Sequence, residues 1–116
     1  MANEIFADIC VIGGGSGGLL VAAGASQMGA DVVLIEGDKM GGDCLNYGCV
    51  PSKSMIAAAN AAHAIRSSDR FGIGAAEPDI AFQKVHDHVH GVIGAIAPLD
   101  SVERFEGLGV KVIQAK

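Results

Sequence analysis

Two of the three cysteines in this 116-residue chain stand close together, in Gly41-Gly42-Asp43-Cys44-Leu45-Asn46-Tyr47-Gly48-Cys49-Val50-Pro51-Ser52-Lys53. In an ideal helix, residues five apart rise about 7.5 Å, more than the roughly 7 Å Cα limit for a disulfide. A Cys44–Cys49 bridge therefore needs backbone that departs from a regular helix, which Asn46 and Gly48 make easy. Cys49 and Lys53 are one turn apart, so they share a face once a helix begins. A cysteine at a helix N-terminus sits in a positive field that favours its thiolate. The spacing thus supplies a thiolate, a partner sulfur within exchange reach and a cation beside them. Those are the parts of a redox dithiol. A structural bridge, or two buried free thiols, is the plainer reading of an isolated pair. Thiol titration separates these readings, because only a redox pair forms its disulfide reversibly.

The elements around the pair are read from the alternation of apolar and turn residues. Asp8-Ile-Cys-Val-Ile12 predicts a buried strand, closed by Gly13-Gly-Gly-Ser-Gly-Gly18. A helix follows over 17–28, ended by Gly29, and Asp31-Val-Val-Leu-Ile-Glu36 predicts a second strand. This is a βαβ unit with a right-handed crossover. Gly13, Gly15 and Gly18 form G-x-G-x-x-G at its turn: the first for tightness, the second for approach of a pyrophosphate, the third for helix packing. Ser16 and Gly17 open the helix, whose first amides and dipole favour phosphate. Glu36 lies at about the twenty-residue offset where an acid accepts hydrogen bonds from ribose hydroxyls. Together these features predict a dinucleotide site. Cys10, inside the first strand, reads as an inert core thiol.

The thirteen-residue cysteine stretch resembles the redox motif of the class I pyridine nucleotide-disulfide oxidoreductases, G-G-x-C-[LV]-N-x-G-C-[VI]-P-[SK]-K, at every fixed position. The resemblance covers nearly the whole chain and is most specific over residues 7–53. It implies a Rossmann-like FAD/NAD(P)-binding α/β fold, here a partial parallel sheet with flanking helices, and an ADP-half site for FAD at the glycine turn. It implies that NAD(P)H reduces FAD, and that electrons then pass to a Cys44–Cys49 disulfide and on to an acceptor. By the same resemblance, Cys49 is the thiolate beside the flavin and Cys44 the interchange thiol. Lys53 would lie near the flavin ring. Gly13, Gly15, Ser16, Gly17, Gly18, Glu36, Gly42, Asp43, Cys44 and Lys53 are the expected cofactor contacts.

Residues 1–116 are then expected to be the N-terminal part of an FAD domain, with the NAD(P)H and dimerisation domains outside this chain. The full-length protein is expected to be a homodimer, and these residues alone to be inactive. Asp43, Tyr47 and the segment Pro98 to Phe105 resemble mercuric-reductase-like members of the family. Dihydrolipoamide dehydrogenase is the alternative acceptor reading. From another class, the alternative is a nucleotide-binding module with a structural disulfide.

Downstream, 52–67 predicts an alanine-rich helix and 67–79 a loop. From Ile80 the apolar positions Phe82, Val85, Val89, Val92 and Ile96 form one helical stripe, with Gly91 and Gly94 marking close packing and Pro98 stopping the helix. Asp100 and Glu103 read as a capping box for a short helix, and 110–113 as a third strand. His86, His88 and His90 are not expected to bind metal, since only His86 and His90 share a helix face and a third ligand is missing. They read as part of a solvated polar face. The formal charge of −5 argues against nucleic acid or an anionic membrane as partner. The absence of a basic leader and of a long apolar run points to the cytoplasm.

Overall fold

A computed structural model describes residues 3–116. Three parallel strands, β1 (Ile9–Ile12), β2 (Val32–Glu36) and β3 (Lys111–Gln114), form a sheet in the order β1-β2-β3. Ile9 pairs with Val32 and Ile12 with Ile35; on the other side Val33 pairs with Lys111 and Glu36 with Gln114. Helix α1 (Ser16–Gln27) makes the β1–β2 crossover. The β2–β3 connection is much longer and carries α2 (Gly42–Asn46), α3 (Cys49–Arg66), α4 (Phe82–Ile96) and α5 (Val102–Gly107). The molecule is thus an α/β, Rossmann-like βαβ unit with a helical excursion.

The core lies between the sheet and the helices α1 and α5. Leu19 and Ala22 of α1, Val32 and Leu34 of β2, Phe105 of α5 and Val110 are buried together. Alanine and glycine in α1 let it lie close to β2. The Ser26 hydroxyl ties α1 to the turn before β3, donating to the Leu108 carbonyl at 2.6 Å.

The radius of gyration is 20.2 Å and the extents are 70 × 28 × 18 Å. A compact chain of this length would have a radius of about 13 Å. The excess comes from α3 and α4, which pack on each other as a hairpin standing away from the sheet. Val89 is buried in that hairpin and Val85, Val92 and Ile96 are half-buried, as the stripe predicts, but Phe82 at the end is exposed. Arg66 at the end of α3 forms a salt bridge with Glu77 that pins the connecting loop, in which 68–71 make a 3-10 turn.

Several expectations are corrected. β1 is an edge strand rather than a buried one: Ile12 is 85% exposed, and Cys10 is exposed rather than in the core. An apolar run shows that a strand can be buried, not whether anything covers it. Gly91 and Gly94 mark no close packing, since a Cβ at either would meet nothing within 4 Å. The α5 cap is Ser101, whose hydroxyl accepts from the Arg104 amide at 3.2 Å, rather than Asp100. Helix α3 begins at Cys49, three residues before the predicted start. Pro51 sits in its first turn, where a missing N–H leaves no bond unmade. Among the described residues no helix is long and apolar enough to cross a membrane.

Candidate dinucleotide and dithiol site

The glycine turn and the cysteine motif meet backbone to backbone. The Gly41 amide donates to the Gly14 carbonyl at 2.8 Å, and Gly15 and Gly41 form an isolated parallel bridge. A Cβ on Gly42 would stand 2.7 Å from the Gly15 Cα, and Gly42 itself has φ of +59°, so a side chain is excluded here twice over. At the third fingerprint position a Cβ on Gly18 would collide with the Gly13 carbonyl oxygen. That is the close packing the fingerprint requires. At Gly15 a Cβ would find only ordinary contact and at Gly17 none, so among the described residues the space beside these two positions is open.

The backbone donors bordering that space suit the phosphates of a dinucleotide. Gly15 caps α1 without a side chain, and Ser16 and Gly17 are exposed at its start. The first amides of α1 have no intrahelical acceptor and face outward with the positive end of the dipole. A cavity of about 260 Å³ is lined by Glu36, Asp38, Lys39, Gly42, Asp43 and Tyr47, and reaches the glycine turn through Gly42, which abuts Gly15, and Glu36, which bonds Gly14. Glu36 is half-buried at its edge; its carboxylate accepts from the Gly14 amide at 2.6 Å and the Asp38 amide at 2.8 Å. The acid expected to meet a ribose therefore also fastens the glycine turn.

The cysteines flank a break between two helices. Cys44 lies in α2, and Tyr47 and Gly48 leave helical geometry before Cys49 starts α3. A Cβ on Gly48 would press 3.0 Å from the Asp43 carbonyl oxygen and 3.2 Å from its Oδ2. Asn46 holds the inner side of the turn, its amide donating to the carbonyls of Gly42 at 2.9 Å and Met40 at 3.2 Å. Both thiols are free, Cys49 exposed and Cys44 half-buried. A hydrogen bond to the Cys49 sulfur pushes the Cys44 thiol above its ordinary range, helped by partial burial. The Cys49 amide and the Lys53 charge act in the opposite direction. Cys44 thus gives up its proton less readily than an ordinary thiol.

The residues expected at the site lie in the turn after β1 and the first turn of α1, at the end of β2, in α2 and at the start of α3. Sequence reasoning missed two residues of the cavity, Asp38 and Lys39. The signal was their place between Glu36 and Gly41. His86 and His90 are brought together, with ring centroids 4.1 Å apart, and His90 Nδ1 is 3.0 Å from the His86 carbonyl oxygen. His88 lines a different, larger cleft of about 570 Å³ between α3 and α4. That cleft is walled by apolar side chains, including Ala58, Ala62 and Ile80, and touches neither the glycine turn nor the cysteines.

The family model for pyridine nucleotide-disulphide oxidoreductases matches residues 7–114. The chain belongs to that family. It is 39% identical over 110 residues to a dihydrolipoyl dehydrogenase of Halobacterium salinarum, covering 94% of this chain and 23% of the relative. A dihydrolipoyl dehydrogenase of Bacillus subtilis is 36% identical over 97 residues, covering 84% of this chain and 20% of the relative. A mercuric reductase of Streptomyces lividans is 45% identical over 76 residues, covering 65% of this chain and 16% of the relative. The chain thus spans less than a quarter of the length of these relatives.

Proposed function

We propose that this chain forms the FAD-binding and dithiol part of an FAD-dependent pyridine nucleotide-disulfide oxidoreductase. The observation that carries this reading is the Gly14–Gly41 hydrogen bond, which joins a dinucleotide turn to a cysteine pair. The first turn of α1, with Gly13, Gly15, Ser16, Gly17 and Gly18, would hold the pyrophosphate. Glu36 would accept from the ribose, and Gly42, Asp43 and Cys44 would line the path toward the ring, with Lys53 beside it. The flavin, when bound, supplies two-electron exchange between NAD(P)H and the disulfide.

The chain's own contribution is to hold the two sulfurs at the helix break and to decide which carries the proton. Cys49, at the first position of α3, takes the thiolate role, and Cys44 is the interchange thiol that attacks the acceptor. Exchange needs an attacking thiolate, so Cys44 must lose its proton as it attacks one sulfur of an acceptor disulfide; the acceptor S–S bond breaks as the mixed disulfide forms, and the departing sulfur takes up the proton. The names of the relatives favour a lipoyl-type disulfide/dithiol couple over mercuric ion as the exchange partner of the cysteine pair, the reverse of the order drawn from Asp43, Tyr47 and the segment 98–105. On this reading the homodimer and the NAD(P)H site belong to the full-length protein. Steady turnover is not expected from the 116 residues alone.

The test is mass mapping of the oxidised chain, with FAD titration of the same sample. A Cys44–Cys49 disulfide that dithiothreitol reverses, together with saturable FAD binding, is expected. A disulfide through Cys10, or no saturable binding, would overturn the proposal.

A further inference from the structure

The cavity beside Glu36 carries an electrostatic problem that the fingerprint does not address. Its lining holds three carboxylates, Glu36, Asp38 and Asp43, and a single ammonium, Lys39. A dinucleotide brings two more negative charges to this side of α1. The Glu36 carboxylate is already held by two backbone amides, whereas among the described residues Asp38 and Asp43 have no side-chain hydrogen bond that would draw their charge away from the cavity. Lys39 makes no ion pair among the described residues, despite these neighbours. Its Nζ lies instead 5.3 Å from the centroid of the Tyr47 ring, and Tyr47, 61% exposed, lines the same cavity.

We infer that Lys39 is the phosphate-neutralising residue of the dinucleotide site and that the Tyr47 ring holds it ready. This rests on the reading of the glycine turn as a dinucleotide site. An ammonium has three donors, so the ring face can take one direction while the others point at a phosphate oxygen. A lysine held over a ring gives up less side-chain freedom on binding than one loose in solvent. The Tyr47 backbone is itself fixed, its amide donating to the Asp43 carbonyl at 2.8 Å. Tyr47 therefore acts through Lys39, as a positioning residue between the two cysteines, and couples the redox turn to the charge balance of the cofactor site.

The experiment is calorimetric titration of the protein with FAD and with ADP, at low salt and again at roughly 0.5 M salt, where exposed charges are largely screened. Lys39→Met is expected to weaken both ligands about tenfold at low salt and to flatten the salt dependence, and Lys39→Arg to recover most of the loss. Tyr47→Leu should lose about threefold, which Tyr47→Phe recovers, because the ring and not the hydroxyl holds the ammonium. Parent and Lys39→Met chains with equal affinity and equal salt dependence would overturn the inference while leaving the dinucleotide reading intact. Equal loss in Tyr47→Leu and Tyr47→Phe would overturn the positioning role of the ring. Failure of the parent chain to bind either ligand would overturn the dinucleotide reading, and the inference with it.

Discussion

The carboxylate of Glu36 and the amide of Gly14, 22 residues apart in sequence, are joined by a 2.6 Å hydrogen bond. One side chain at the end of β2 thus shapes the turn at the end of β1. Glu36→Ala should therefore act on the empty protein as well as on the complex. Loss of bonds from two amides to a half-buried carboxylate should destabilise the chain by about 1–3 kcal/mol and weaken FAD roughly ten- to hundredfold. Thermal unfolding measured without FAD checks the first effect and FAD titration the second. Unchanged melting would show that the Gly14 bond contributes nothing to stability.

The raised Cys44 thiol has its own signature. Because the Cys49 sulfur raises the Cys44 thiol, Cys49→Ala should let Cys44 ionise at lower pH than it does in the reduced parent chain. Ultraviolet thiolate absorbance against pH reads this directly, in a background with Cys10→Ser. In FAD-loaded full-length protein, Cys44→Ser should keep a long-wavelength thiolate–flavin absorbance and Cys49→Ser should lose it. The opposite pattern would exchange the two roles.

Glycines in this chain fall into two kinds that a single substitution separates. Gly42→Ala places a methyl group against the Gly15 backbone at a positive φ and should cost about 2 kcal/mol or more. Gly91→Ala and Gly94→Ala meet no neighbour and lie in α4, so each should stabilise by about 0.5–1 kcal/mol. Denaturant midpoints of the three variants decide the matter.

The Arg66–Glu77 pair predicts a pH dependence. Arg66 holds the Glu77 carboxyl below its ordinary value, so the folded state binds that proton less readily than the unfolded state. The stabilisation is therefore present above the ordinary carboxylate range and is lost as pH falls through the lowered value. Both groups are exposed, so the effect should be small and reduced by salt. Glu77→Gln should lower the melting temperature slightly at neutral pH and not at all in strong acid.

How much of this was legible depended on what kind of signal each residue carried. The glycine turn, Glu36 and the break at Gly48 were readable because each is a local backbone requirement tied to a residue type. The start of α3 was placed too late because Pro51 reads as a boundary, although a first helical turn tolerates it. Cys10 was misplaced because burial is a property of what covers a strand, and β1 lies at the edge of the sheet. Gly91 and Gly94 carry no sign of whether a neighbour approaches them. Lys39 carries no such signal in its residue type, because an exposed lysine is ordinary until the carboxylates around it are known. The protruding α3–α4 hairpin was invisible, since its length was predicted but not its direction.

The Gly15–Gly41 bridge makes the nucleotide turn and the dithiol turn one mechanical piece. Neither can settle into a new position without moving the other. Oxidation of the cysteine pair should then alter how tightly the glycine turn holds its ligand, and by reciprocity the ligand should alter the reduction potential of the pair by the same free energy. A tenfold difference in affinity between the oxidised and reduced chains corresponds to a shift of about 30 mV in a two-electron potential. In a family member built this way, cofactor occupancy should register at the sulfurs before any electron has moved.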